Sequence, residues 1–184
     1  MKIIKQKEFK GSKDLKQEIL AGKIFIYPTD TIYGLGCDAP NKEAVEKIRA
    51  IKQRDRNKPL SIIAPNFGWI KQNCVINIDL KKYLPGPYTL LLKKKNPDFL
   101  KWASSNDRIG IRIPANNFTK KIQEAGVPFV TTSVNFSGEP FALKIEDIPD
   151  KIKNEVDYII PTNKDEKLSG IPSILIMNCK EIKR

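Results

Sequence analysis

The chain has 184 residues, of which 40% are hydrophobic and 29% are charged, the composition of a soluble globular protein. It carries 33 Lys and Arg against 21 Asp and Glu, a net charge of +12, and it contains no histidine. The lack of histidine excludes Ser-His-Asp and Cys-His catalysis and most transition-metal sites. Any chemistry must therefore use cations, hydroxyls, amides and backbone groups. We expect residues 1–184 to form one domain.

The positive surplus indicates a polyanionic ligand, such as nucleic acid, a nucleotide or an anionic membrane surface. Scattered lysines from a lysine-rich proteome would give the same net charge, so this alternative stays open. The three cysteines are widely spaced without a CxxC pair, which is typical of buried reduced thiols. No apolar run approaches the roughly 20 residues of a membrane span, and the N-terminus lacks the pattern of a signal peptide. These features predict a cytoplasmic location and no membrane contact.

The first third of the chain predicts two helices separated by a strand and a turn. Residues 13–21 and the segment after Asn41 show the helical spacing of apolar residues, and residues 24–27 form a buried strand. Residues 28–37 then bring a proline, hydroxyls, a carboxylate and two glycines. This composition predicts a turn, and α/β domains usually bind their ligands at such a place.

Strands and helices continue to alternate to the end of the chain. Further strands are predicted over residues 60–64, 88–93, 109–113, 129–132, 156–160 and 173–177. Helices are predicted near residues 67–71, 79–83 and 145–153, with another that Asn117 caps and that ends at Gly126. The alternation predicts an α/β fold with a mixed β-sheet.

A run of cations lies between a predicted helix and a predicted strand. Lys52, Arg54, Arg56 and Lys58 place four cations within seven residues. Because Pro59 stops the helix, these side chains lie on a connection at the edge of a strand, where they could clamp an anion. A solvated surface explains the same run equally well.

Two later stretches are candidate binding elements. Residues 131–138 place hydroxyl and amide groups directly after a predicted strand, in greater number than a turn requires. Such neutral donors bind phosphate, ribose or carboxylate oxygens. Arg112 lies between two isoleucines of a predicted strand and points either to solvent or into a cleft, where it would bind a substrate carboxylate.

Five motifs in this order resemble the YrdC-type family of L-threonylcarbamoyladenylate synthases. They are residues 27–36 (YPTDTIYGLG), Lys52-x-Arg54 with Lys58-Pro59-Leu60, residues 85–89 (PGPYT), residues 109–114 (IGIRIP), and Ser133-x-Asn135-x-Ser137-Gly138. The resemblance runs from about residue 13 to the C-terminus. It implies a YrdC-like twisted mixed β-sheet flanked by helices, with a basic concave cleft.

The resemblance also implies the reaction. L-Threonine, bicarbonate and ATP would form threonylcarbamoyl-AMP with release of pyrophosphate, for the N6-threonylcarbamoyl modification of the tRNA adenosine next to the anticodon. A downstream tRNA threonylcarbamoyltransferase would take the product, and tRNA or double-stranded RNA could contact the basic face. Mg²⁺ would be carried by the ATP phosphates, without a metal site in the protein.

The family motifs assign roles to individual residues. Those resembling the catalytic tetrad are Lys52, Arg54, Ser133 and Asn135. Those expected to bind ATP are Arg54, Lys58, Arg108, Ser133, Asn135 and Arg184. Those expected to bind threonine are Thr31, Arg112, Thr131 and Ser173. Asp30, where many members have Glu, is expected to be structural, and Gly34 and Gly36 to let the backbone turn closely.

Three other functions fit parts of the sequence. A non-synthase YrdC-like paralogue would bind double-stranded RNA or the ribosome, but such paralogues tend to lose the Ser-x-Asn pattern that residues 133–135 keep. The related domain of hydrogenase-maturation carbamoyltransferases belongs to large chains with zinc-finger cysteines. An RNA-binding module would use the net charge alone. The synthase is therefore the main interpretation.

Overall fold

The computed structural model describes residues 2–4, 12–164 and 166–183. The helices are α1 (Ser12–Leu20), α2 (Lys42–Ile51), α3 (Phe67–Asn73), α4 (Asn117–Ala125) and α5 (Asp150–Asn154), with short 3₁₀ turns at Leu80–Lys82 and Ile145–Asp147. The strands are β1 (Lys2–Ile3), β2 (Phe25–Pro28), β3 (Tyr33–Gly36), β4 (Ser61–Ile63), β5 (Cys74–Val75), β6 (Tyr88–Lys94), β7 (Arg108–Arg112), β8 (Phe129–Ser133), β9 (Tyr158–Ile159), β10 (Ile174–Met177) and β11 (Lys180–Ile182). Every helix within these ranges is too short or too polar to cross a membrane.

Within the described residues, eleven strands form one mixed sheet in the order β1-β9-β2-β3-β8-β4-β7-β6-β10-β11, with β5 paired to β6. The pairs β1–β9, β9–β2, β4–β7 and β6–β10 are parallel, and the other pairs are antiparallel. The predicted α/β fold with a mixed sheet is therefore confirmed.

The two faces of the sheet differ in what covers them. Alternate residues of the central strands, among them Ile62 and Val130, share a core cluster with the apolar residues of α2 and α3. On the opposite face, Ile63 and Phe129 pack in a second cluster with α1 and α4. Ser61 and Thr131 lie on this second face as well, each two residues from Ile63 or Phe129 in the same strand. They line a cavity instead of packing against a helix. Helices thus cover only part of this face, and the remainder forms the candidate site.

The predicted turn over residues 28–37 is wrong in its second half. Tyr33–Gly36 form β3, which pairs antiparallel with β2 and with β8. A Cβ at Gly36 would lie 2.2 Å from the backbone oxygen of Val130, so glycine is needed there because β8 approaches closely. Gly34 and Gly36 therefore belong to a strand, and the tight turn is confined to the residues before Tyr33.

Two helix predictions also need correction. Asn116 caps α4, because its side chain accepts a hydrogen bond from the backbone N–H of Thr119, and Asn117 is the first helical residue. The helix predicted over residues 145–153 is divided into a 3₁₀ turn and α5, with Pro149 between them at the N-cap of α5. Proline has no N–H to continue a helix, so the division falls there.

Candidate functional site

A cavity of about 460 Å³ lies on the uncovered part of the sheet. Its volume is in the range of small-molecule sites. Alternate residues of five strands face it and are small or carry hydroxyls or a guanidinium: Gly34, Ser61, Thr89, Gly110, Arg112, Thr131 and Ser133. The connection before β4 and the turn after β2 supply further lining residues: Arg54, Lys58, Pro59, Leu60, Thr29, Ile32. Most of the strand positions in the lining are polar or small, beside the larger Tyr33, Leu91 and Leu175, and this leaves room for a ligand.

Lys52 is not a lining residue of this cavity, but it holds the loop after β8. Its side chain is buried, and Nζ donates to the backbone oxygen of Ser133, to the backbone oxygen of Asn135 at 2.6 Å and to Asn135 Oδ1 at 3.0 Å. Ser133 Oγ also donates to Asn135 Oδ1 at 2.6 Å. Burial, together with repulsion from Arg54, lowers the pKa of Lys52 to about 7.

The four residues of the expected tetrad therefore divide into two pairs, one that lines the cavity and one that does not. Arg54 and Ser133 line the cavity, whereas Lys52 and Asn135 are not among its lining residues. Asn135 is 6% exposed, and its Nδ2 donates to the backbone oxygen of Glu139 at 2.6 Å. Lys52 and Asn135 thus fix the backbone that presents Ser133.

Arg49, which the sequence did not single out, anchors the cationic connection. It lies in the last turn of α2 and is 5% exposed. Its Nη1 donates to the backbone oxygens of Asp55 (3.3 Å) and Lys58 (2.9 Å). Its Nη2 donates to the backbone oxygens of Trp102 and Ala103, both at 3.1 Å. One guanidinium thus joins the connection to the turn before β7, an arrangement that the spacing of the sequence cannot reveal.

Arg112 points into the cavity rather than to solvent. Its Nη2 contacts Asp30 Oδ1 at 2.7 Å, and the two side chains are 8% and 11% exposed. Asp30 Oδ2 also accepts from the backbone N–H of Ala115 at 3.1 Å, which agrees with its expected structural role. Arg112 Nε is buried and has no hydrogen-bond partner among the described residues. Since burial lowers the pKa of Arg112 and Asp30 opposes this effect, the pair keeps a cation at the cavity wall.

The remaining threonine-site candidates lie in or beside the cavity. Thr131 and Ser173 line it, and Ser173 Oγ lies 2.8 Å from Thr89 Oγ1. Thr31 is fully buried and is not a lining residue. Its hydroxyl lies 2.9 Å from that of Thr29, which does line the cavity and which the motifs did not single out.

Of the two remaining residues expected to bind ATP, only Arg108 lies within the described residues. Arg108 is half-buried and outside the cavity lining, and its Nη1 donates to the backbone oxygen of Leu91 at 3.3 Å. Arg184 lies outside the described residues. Within residues 2–4, 12–164 and 166–183, no group of three or more His, Cys, Asp or Glu side chains could hold a metal ion.

Known proteins resemble this chain in sequence and in fold. A Methanocaldococcus jannaschii protein named "Putative threonylcarbamoyl-AMP synthase" is 41% identical over 156 residues, which cover 82% of this chain and 72% of that protein. A Pseudoalteromonas atlantica threonylcarbamoyl-AMP synthase is 34% identical over 150 residues, covering 77% and 80% of the two chains. The crystal structure of P. abyssi Sua5 complexed with L-threonine superposes with a TM-score of 0.80 at 26% identity.

The superposition covers 96% of this chain and 54% of the P. abyssi chain, so this chain spans about half of that protein. The sequence profile of the family described as Sua5_yciO_yrdC, telomere recombination, matches residues 17–182. That match covers nearly the whole chain, and both relatives named above exceed 30% identity. The chain belongs to the Sua5/YciO/YrdC family, as its motifs predicted.

Proposed function

We propose that the chain joins L-threonine, bicarbonate and ATP into threonylcarbamoyl-AMP and releases pyrophosphate. The names of its relatives bear out the synthase, a nucleotidyltransferase-type enzyme, over the non-synthase paralogue. The observation that carries the proposal is the placement of cations and neutral donors around one cavity. Arg112 lies on β7, whereas Arg54 and Lys58 lie on the connection before β4.

The strand register separates two ends of this cavity. Arg112 pairs with Ile63, which pairs with Phe129, so these residues lie at one level of the sheet. Ser133 lies four residues farther along β8, about 13 Å at the usual rise of a strand. Arg112 would bind the threonine carboxylate at the first end. Ser133, with Arg54 and Lys58, would bind the triphosphate at the second.

Such a site would act by positioning and by stabilising charge. The threonine amine and bicarbonate first form a carbamate with loss of water. A carbamate oxygen then attacks the α-phosphorus of ATP, and the bond to the pyrophosphate leaving group breaks. This step needs the reactants in line and the developing charge on the phosphates neutralised, and it needs no histidine. Mg²⁺ would enter with the ATP phosphates, to which it binds in preference to a protein cage.

The wider context stays a prediction. The product would pass to a downstream tRNA threonylcarbamoyltransferase that modifies the adenosine next to the anticodon, and tRNA could contact the basic cleft face. We propose a single domain over residues 1–184 and a cytoplasmic location, as the sequence predicts.

Two variants of the cationic connection separate the synthase from an RNA-binding module. Arg54→Ala should lower threonine-dependent turnover at least tenfold, because charge-assisted contacts to phosphate contribute about 1.5–3 kcal/mol. Arg56→Ala is the matched control, since Arg56 pairs with Glu46 and its side chain is 81% exposed. If the wild-type chain shows no threonine-dependent turnover and Arg54→Ala loses RNA binding, the RNA-binding module is the better interpretation.

A further inference from the structure

A buried tyrosine that does not line the cavity contacts a residue two strands away. Tyr27 belongs to β2 and is fully buried, and its hydroxyl donates to Thr131 Oγ1 at 2.6 Å. Thr131 belongs to β8, and β3 lies between these two strands in the sheet. The tyrosine side chain must therefore cross β3 to make this hydrogen bond.

Gly34 makes the crossing possible. It is the β3 residue directly opposite Tyr27 in the antiparallel pair. A Cβ at this position would lie 3.0 Å from Tyr27 Cζ and 3.2 Å from its hydroxyl oxygen. The ring also packs against Phe118 and Phe129, with centroid distances of 5.5 and 5.6 Å. The absent side chain of Gly34 and these two rings fix where the Tyr27 hydroxyl lies.

The direction of this hydrogen bond decides what Thr131 can do. A tyrosine hydroxyl has one proton, and Tyr27 gives it to Thr131. Burial raises the pKa of Tyr27, so the phenol keeps its proton and remains the donor. Thr131 Oγ1 then accepts one bond and retains its own proton to donate. Since Thr131 lines the cavity, that proton is available to a ligand.

We propose that Tyr27 and Gly34 are positioning residues that make Thr131 a hydrogen-bond donor to a carboxylate oxygen of the bound amino acid. This inference rests on the proposed function for the identity of the ligand. Arg112 lies on the same face of the sheet as Thr131. It is level with Phe129, which is two residues from Thr131 in β8. A guanidinium and an oriented hydroxyl together would bind both oxygens of one carboxylate.

The test compares Tyr27→Phe with wild type in threonine- and bicarbonate-dependent pyrophosphate release by the full chain. The variant keeps the ring and removes only the hydroxyl. We expect the KM for L-threonine to rise about tenfold, because a misdirected donor weakens a charge-assisted hydrogen bond. The KM for ATP should stay within about twofold. Gly34→Ala, which displaces the ring, should raise the threonine KM in the same way.

Tyr158→Phe is the matched control. Tyr158 also donates a 2.6 Å hydrogen bond, to Glu18 Oε2, and it is not a lining residue of the cavity. This variant should change neither KM. Thermal unfolding of each variant shows whether it is folded, and Gly34→Ala provides the test if Tyr27→Phe does not fold.

A double-variant cycle decides whether Tyr27 acts through Thr131. Thr131→Val should raise the threonine KM, and adding Tyr27→Phe should raise it no further. An unchanged threonine KM in Tyr27→Phe, or additive effects in the double variant, would overturn the inference. If the wild-type chain releases no pyrophosphate, the proposed function fails instead. Calorimetric titration of L-threonine into wild type and Tyr27→Phe then tests the inference alone, and equal affinities would contradict it.

Discussion

Lys52 shows how a single residue can belong to a site without facing its ligand. The three hydrogen bonds that its Nζ donates go to the chain around Ser133 and Asn135. The sequence motif grouped it with Arg54, whose side chain lines the cavity. The two residues are neighbours in a motif, but one supports the loop after β8 and the other faces the cavity.

The lowered pKa of Lys52 predicts a pH dependence of stability. Its pKa falls from an ordinary 10.5 in the unfolded chain to about 7 in the folded protein. The unfolded chain therefore binds more protons between these values, and the free energy of unfolding should rise with pH across this window. We expect the difference in stability between wild type and Lys52→Met to increase from pH 7 to pH 10, measured by urea denaturation.

The variant Lys52→Met is chosen because it keeps an unbranched side chain and removes the titrating amine. The remaining titrating groups are common to both proteins and cancel in the difference. Equal pH slopes for the two proteins would mean that the three oxygen acceptors fully offset the effect of burial.

The sequence predicted the types of residue in the site better than their orientations. Arg112 could be named as a carboxylate-binding candidate, but its direction depended on Asp30, which lies 82 residues away in the chain. Tyr27 and Arg49 read as ordinary members of a strand and a helix. Their roles depend on side-chain contacts across strands or with a distant turn, and a local sequence pattern cannot predict such contacts.

The connection between α2 and β4 is the element that brings cations to the cavity, and Arg49 holds it. Arg49→Met should lower the free energy of unfolding by about 3 kcal/mol, because several buried backbone oxygens lose their charged donor. It should also raise the KM for ATP more than the KM for threonine, since Arg54 and Lys58 lose their fixed positions. Denaturation and steady-state kinetics measure the two effects.

Arg56→Met serves as the control within the same connection. Its ion pair with Glu46 is exposed to solvent, and such pairs contribute about 0–1 kcal/mol. A loss of stability in Arg49→Met with equal changes in both KM values would show that Arg49 is structural only.

Among the elements, β3 is a strand that the sequence analysis assigned to a turn. The fragment from Tyr33 to Gly36 contains two glycines, and local propensity therefore favours a turn. Tertiary contacts decide otherwise, because Gly34 makes room for the Tyr27 ring and Gly36 for the backbone of β8. By contrast, α2 was predicted with its Asn41 cap, since its apolar spacing and capping residue are both local signals.

At the scale of the whole molecule, the two core clusters lie on opposite faces of one sheet and share its strands. Such a core should unfold cooperatively if residues 1–184 form a single domain. Trp69 and Trp102 both pack against the larger cluster, so their fluorescence reports on that face. We expect the fluorescence and far-ultraviolet circular dichroism transitions in urea to coincide. Separate midpoints would indicate two independently folding units.

The central claim is that one histidine-free cavity activates threonine and bicarbonate with ATP. The most direct measurement is pyrophosphate release from ATP by the purified chain, with each substrate omitted in turn. We predict release that requires both L-threonine and bicarbonate, together with threonylcarbamoyl-AMP detected by mass spectrometry. Pyrophosphate release that is independent of either substrate, or no release at all, would contradict the account.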